Sequence, residues 1–221
     1  MLLLALFVWC GSVTEAPAQN DQRVYAGALV GVSALSADGR STTSPSALAV
    51  SLYTPKNGPA LNVFGGFHLK PYFSLQANYM WNRNDLALFS SFATEDSGGF
   101  YEQGRRSSQH AVVIDALVYF RRVESSIRPY LGTGLSVLRF TSDIETQAVS
   151  SGLDAPRHPI ISTGIGLRSA VGVDINLSRR LSVRYSFSET ISRNPISPSL
   201  MPPGERRLAN FQNLVGLIAR F

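Results

Sequence analysis

Residues 73–81 read FSLQANYMW, and in them Phe73, Leu75, Ala77, Tyr79 and Trp81 alternate with Ser74, Gln76, Asn78 and Met80. A period of two is that of a β-strand whose faces meet different surroundings. One face here is bulky and apolar, and the other is mostly polar. Immediately upstream, LNVFGGFHL (61–69) places Leu61, Val63, Phe67 and Leu69 on one side and Asn62, Gly66 and His68 on the other, with Lys70 and Pro71 as the turn between the runs. The two runs predict an antiparallel hairpin.

The pattern returns along the chain. Leu181, Val183, Tyr185 and Phe187 alternate with Ser182, Arg184, Ser186 and Ser188; before a turn at 176–180, Leu167, Val171, Val173 and Ile175 oppose Arg168, Ala170, Gly172 and Asp174. HAVVIDALVYF (110–120) and PYLGTGLSVLRF (129–140) flank a short connection containing Arg121, Arg122 and Glu124. A first strand at 24–35, with Val24, Ala26, Ala28, Val30 and Val32 opposite Gly27, Gly31 and Ser33, and a last at 208–221 bring the count to eight. The stretches between hairpins, 36–59, 83–109, 141–161 and 189–207, are rich in Ser, Gly, Pro and charge and are expected to be loops.

Short turns at one end and long loops at the other are the habit of an outer-membrane barrel, in which about 9 to 11 tilted residues cross the bilayer. An even strand number puts both termini at the short-turn end. The fold expected is all-β, an eight-stranded antiparallel up-and-down transmembrane barrel. Aromatics gather near strand ends, with Tyr72, Phe73, Phe120, Tyr130 and Phe221 at one and Trp81, Phe140, Phe187 and Phe211 near the other, as two interfacial girdles would. A soluble barrel of lipocalin type shares the period, but its apolar face must fit a small interior. The face carrying Phe73, Leu75, Tyr79 and Trp81 is too bulky for that.

Composition agrees with one folded domain: 221 residues, 44% hydrophobic and 16% charged, with a mean hydropathy of +0.05. No stretch approaches the roughly 20 apolar residues of a membrane helix. The N-terminus, MLLLALFVWCGSVTEAPAQ, resembles a secretory signal over 1–18, with Ala16-Pro17-Ala18 as the cleavage site and 19–221 as the barrel, although no Lys or Arg precedes the apolar run. Cleavage would remove Cys10, the single cysteine, and with it any disulfide or cysteine metal site. Acylation at Cys10 is disfavoured by the bulk of Trp9. The net charge of +5 is spread over Arg23, Arg40, Arg105, Arg139, Arg179 and Arg206, which argues against a nucleic-acid partner. Loop arginines could meet lipopolysaccharide phosphates or simply be solvated.

With its hairpins in place the chain resembles the OmpA-like group of small outer-membrane β-barrels. The residues that carry the likeness are RPYLGTGLSV (128–137), KPYFSLQANY (70–79) and the terminal LVGLIARF (214–221). The resemblance implies residence in the outer membrane among its lipids and lipopolysaccharide. It also implies insertion by the barrel-assembly machinery, read from Gly216, Ala219 and Phe221, with Leu214 standing where such signals usually carry a polar residue. No peptidoglycan-binding segment follows Phe221, so the anchoring role of larger members is not expected.

No reaction is expected. His68, His110 and His158 lack metal-ligand spacing. A Ser-His-Asp group from Ser74, His68 and Asp115 could arise only by geometry, and the glycine pairs at 132/134 and 164/166 complete no dinucleotide motif. Asp115, Arg168, Asp174, Arg184 and Arg220 share inward parity, and in a narrow lumen they are expected to pair and plug it. The function expected is that of a non-enzymatic, monomeric envelope protein without cofactor that presents surface loops for adhesion or envelope integrity. The alternatives are a conduit for small solutes or hydrophobic molecules, and a lipid-modifying barrel enzyme.

Overall fold

The computed structural model describes residues 23–146 and 148–221, so the expected signal peptide and Cys10 lie outside the described residues. The strands are β1 (Val24–Leu35), β2 (Asp38–Ser44), β3 (Ala47–Pro55), β4 (Gly58–Lys70), β5 (Phe73–Thr94), β6 (Gly98–Tyr119), β7 (Ile127–Ile144), β8 (Val149–Ser151), β9 (Ile160–Asn176), β10 (Leu181–Arg193) and β11 (Arg207–Arg220). Eight of them close an antiparallel ring in the order β1, β4, β5, β6, β7, β9, β10, β11 and back to β1. The β2–β3 hairpin prolongs β1 and β4, and β3 pairs with the far half of β5; β8 adds to β6.

Register fixes the tilt. Partners run from Val24 through Phe67, Leu75, Ala116, Thr133, Ser169, Glu189 and Phe211 back to β1 at Ala34, an offset from residue 24 to residue 34 of ten residues. Over eight strands this inclines each strand by about 40°, so that a residue rises about 2.5 Å along the axis.

Two stretches expected as loops, 36–59 and 83–109, are mostly strand, and in the third, 141–161, β7 persists to Ile144 and β8 forms. The third also holds an irregular run at 152–159, and the fourth, 189–207, a longer one at 194–206 with one 3-10 turn at Ser197–Ser199. Serine, threonine and charge erased the contrast between faces from which strands are recognised, while the backbone kept its pairing. As a result β5 and β6 each have 22 residues. Beyond Trp81, residues 82–94 project about 30 Å farther along the axis.

The chemistry of the faces inverts along these long strands. Low on β5, Phe73, Leu75, Ala77, Tyr79 and Trp81 point outward and Ser74, Gln76, Asn78, Asn82 and Asn84 inward; higher up, Arg83 and Asp85 point outward and Leu86 and Leu88 are buried inside. The upper interior is an apolar core of Leu35, Tyr53, Leu86, Leu88, Tyr101 and Phe140, into which Ile196 and Leu200 descend from the last loop. The lower interior is not uniformly polar either. Tyr25, Leu29, Phe64, Leu214 and Ile218 form an apolar wall on β1, β4 and β11, which gives Leu214 its buried place. Inward glycines make room for these side chains: a Cβ on Gly66 would lie 2.6 Å from Tyr25, and one on Gly172 2.5 Å from the Tyr130 hydroxyl.

Candidate functional site: a filled lumen and its outer rim

The five inward charges lie in the lower lumen. Arg184 and Asp174 face each other across β9 and β10, with Nε 2.6 Å from Oδ1 and a terminal nitrogen 2.8 Å from Oδ2. Arg184 also donates to Gln76 Oε1 at 2.7 Å and to the Tyr119 hydroxyl at 2.8 Å, and that hydroxyl donates to Asp174 Oδ2 at 3.1 Å. Six residues farther up β9, Arg168 donates across β7 to Asp115, which also accepts from Asn78 Nδ2 at 3.0 Å. Arg220 has no carboxylate partner among the described residues and donates to Asn176 Oδ1 at 2.5 Å. Burial of the Arg184–Asp174 pair is tolerable because the two charges match and the forked donor meets both carboxylate oxygens.

Arg128 was not foreseen. It is fully buried, none of its guanidinium nitrogens has a hydrogen-bond partner among the described residues, and its Cζ lies 3.9 Å over the Tyr119 ring. Its inward parity follows from Asp174, its registered partner on β9. A cation held over a ring face is stabilised by the ring quadrupole.

Above the charges an amide ladder fills the bore. Asn62 and Gln76 donate to Asn78, Asn82 donates to Asn84 at 2.7 Å, and Asn210 donates to Asn82 and Gln109 at 2.9 and 2.6 Å. Higher still, the segment after β10 is tied down as a stopper. Asn194 Nδ2 donates to the Tyr53 hydroxyl at 3.0 Å, Tyr101 donates to the Ser199 carbonyl at 2.9 Å, and Ser51 donates to the Pro202 carbonyl at 2.5 Å. Burial pushes both phenols above their ordinary pKa. Arg105 is buried there too, with no carboxylate partner among the described residues. It donates to the carbonyls of Ser142 and His158 at 2.8 Å each and so pins the segment that follows β8. At the short-turn end a vestibule of about 680 Å³ opens, lined by Arg23, His68, Lys70, Glu124, Asn176 and Arg220 among others. Solvent goes no farther, because Tyr119, Arg128, Asp174 and Arg184 above it are at most 2% exposed.

Ser74 and His68 do meet, with Oγ 2.5 Å from Nδ1, but Asp115 is engaged by Arg168 and Asn78, and the pair sits by the short-turn vestibule. No three metal-ligating side chains converge among the described residues.

The aromatic residues divide. Phe73 and Phe120 lie outward at the short-turn end, and Trp81 and Phe211 lie outward toward the far edge of the apolar band. Phe187 is outward but occupies the middle of β10, where it stacks on Phe211 with centroids 6.3 Å apart, so it belongs to the band and not to a girdle. Tyr130 and Phe140 are buried inside, in the lower lumen and the upper core, because they share parity with Arg128 and not with Leu131. In the terminal strand Ala219 faces outward, Phe221 is 69% exposed at the short-turn edge, and Gly216 faces inward where a Cβ would lie 2.0 Å from the Ala28 carbonyl oxygen.

Just above the apolar band, Arg83, Arg139, Arg193 and Arg207 point outward as a collar. Beside it a groove of about 440 Å³ is lined by Leu135, Ile165, Leu167 and Ile191 below and Arg193, Arg206 and Arg207 above.

The model of the outer membrane protein beta-barrel domain matches residues 3–211. Among solved structures, Neisserial surface protein A aligns with a TM-score of 0.53 at 14% identity, covering 90% of this chain and 97% of the other. The outer membrane protein OprG from Pseudomonas aeruginosa aligns with a TM-score of 0.53 at 10% identity, covering 91% and 97%. At such identities the likeness is one of fold. No curated protein sequence matches the chain.

Proposed function

The chain belongs to the outer membrane protein beta-barrel domain family, and from that premise we propose that it is a closed, non-enzymatic scaffold that holds a rigid β-wall outside the cell. Integral outer-membrane residence follows from the family, and the short-turn end is periplasmic by the general habit of such barrels. The observation that carries the proposal is a bore filled at three successive levels: ion pairs, amide ladder and apolar stopper. A barrel of eight strands has room for side chains and little else. What the fold adds beyond the bilayer is not loop but paired strand, whose outward face bears Leu48, Leu52, Phe100 and Val149 as exposed apolar residues. Exposed apolar surface of this kind marks contact surfaces.

The collar of arginines is the contact with outer-leaflet phosphates, since guanidinium forks match phosphate geometry. Assembly is read from the terminal strand, with Gly216, Ala219 and Phe221 as its signal, and the protein acts as a monomer without cofactor. An enzyme of the outer leaflet would need its reacting groups near the collar, whereas Ser74 and His68 lie at the opposite end.

Purified folded protein in planar bilayers is expected to show no sustained conductance, while an epitope inserted at Asp96, in the turn between β5 and β6, is displayed on intact cells. Stable single-channel steps would establish the conduit instead, and an epitope hidden until the outer membrane is breached would reverse the orientation.

A further inference from the structure

Arg193 and Arg207 are registered partners on β10 and β11, and both point outward. Like charges placed opposite each other in a sheet repel, and Arg206 adds a third cation at the same rim. Among the described residues no carboxylate pairs with any of the three, although Arg40, Arg106, Arg157, Arg168 and Arg184 each have one. The nearest acid on the same strand is Glu189, four residues below Arg193, where its registered neighbours are Ser169 and Phe211. Four residues of strand separate the two Cα atoms by about 13 Å, beyond ion-pair reach. Glu205 is already bonded to Arg40.

Directly beneath the three cations, Leu135, Leu167 and Ile191 form one registered row across β7, β9 and β10, with Ile165 beside them at 74% exposure. The groove therefore offers concentrated positive charge at the level of headgroups and an apolar floor at the level of acyl chains, on the lipid-facing outside of the barrel. An anion with one charge and a single short chain leaves most of this unmatched.

We propose that the groove under Arg193, Arg206 and Arg207 seats one molecule of the phosphorylated, multiply acylated glycolipid of the outer leaflet, the lipid A class. Its phosphates lie among the three guanidinia and its acyl chains over Leu135, Ile165, Leu167 and Ile191. This rests on the collar's contact with outer-leaflet phosphates and narrows it to one place and one lipid.

Native mass spectrometry of the folded full-length mature protein in detergent tests it, with lipid A or phosphatidylglycerol titrated in and heat-modifiable gel mobility as the check on folding. The wild type is expected to carry a single lipid A adduct in preference to phosphatidylglycerol. The triple variant R193S/R206S/R207S should lose about a hundredfold in affinity, since each arginine at an anionic lipid surface contributes about a factor of five. R83S/R139S, which thins the collar away from the groove, should lose far less affinity than the triple variant, as expected of collar arginines that touch headgroups but do not line the groove. R193K/R206K/R207K, which keeps the charge and the fold, should bind at an intermediate level because lysine lacks the fork. Equal losses in the two serine variants would mean a diffuse collar and overturn the groove while leaving the collar in place. Wild-type affinity in a folded triple serine variant, or equal binding of phosphatidylglycerol, would overturn the proposal.

Discussion

Replacing Asp174 by Asn tests whether the lower lumen is held by charge matching. Asp174 is the buried carboxylate registered opposite Arg184, which it binds through both oxygens, and it is also the registered partner of Arg128 on β7. Asparagine keeps the shape and one acceptor oxygen, so the bonds from Tyr119 and Arg184 are only partly lost. The charge, however, is removed. Arg184 is 1% exposed and Arg128 0%, so neither can turn to water for compensation. Removing one partner of a buried pair costs about 3 to 5 kcal/mol, because the remaining charge stays desolvated and unpaired. D174N should therefore destabilise the folded barrel by about that amount, whereas D174N/R184M should recover most of the loss. Urea titration in lipid vesicles, followed by gel mobility and by the fluorescence of Trp81, measures both variants. A D174N barrel within about 1 kcal/mol of the wild type would show that water or backbone dipoles, and not the carboxylate, neutralise the cluster.

Two further outcomes are expected. Ile114, 64% exposed in the middle of the outward face of β6, should cost about 2 to 4 kcal/mol when changed to Arg, while Ser108→Arg, above the apolar band, should cost little; equal costs in bilayer refolding would mean that the band has been misplaced. Burial raises the pKa of Tyr53 and Tyr101, so their contribution to holding the stopper is fully present below the unfolded value near 10 and is lost as pH rises through the higher folded value. A tyrosinate absorbance titration of wild type against Y53F/Y101F should show both phenols ionising above the ordinary tyrosine value near 10, and ionisation at that value would contradict the burial.

Residues that separate two unlike environments were legible in the sequence. Phe73 to Trp81 announced a strand because lipid and lumen demand opposite side chains, and Asp174 and Arg184 could be assigned inward by parity alone. Tyr130 and Phe140 carried the same parity signal, since outward Leu131, Leu135 and Val137 fix even positions of β7 as inward. An aromatic near a strand end looks interfacial, and that appearance overrides the parity. Arg128 escapes the reading for a related reason: the run PYLGTGLSVLRF begins at Pro129, two residues after β7 does. The upper wall could not be read, because outside lipid both faces tolerate Ser and Thr. The groove needs the return of the chain from Asn194 to Arg207, and no local pattern specifies that path.

The inversion of faces also locates the bilayer without reference to any relative. Within lipid a barrel must put its apolar side chains outside and satisfy polar ones within the bore; above lipid the hydrophobic effect reverses the demand. On β5 the exchange falls between Trp81 and Leu86, on β6 the outward His110 separates Arg106 and Ser108 from Val112 and Ile114, and on β7 Arg139 follows Val137. On β10 and β11 it falls at Arg193 and Arg207. These positions lie on different strands at different residue counts from the short turns, yet a tilt of about 40° brings them to a common height within a few residues' rise. A soluble barrel would show no such exchange, and a barrel lying wholly in lipid would show none either. The protein is therefore built in two storeys on one set of strands: the lower is solvated by lipid and filled with paired charge and amides. The upper is solvated by water and filled with Tyr53, Leu88, Tyr101, Phe140 and Ile196. Because the upper storey has its own core, its packing comes from these side chains and not from lipid.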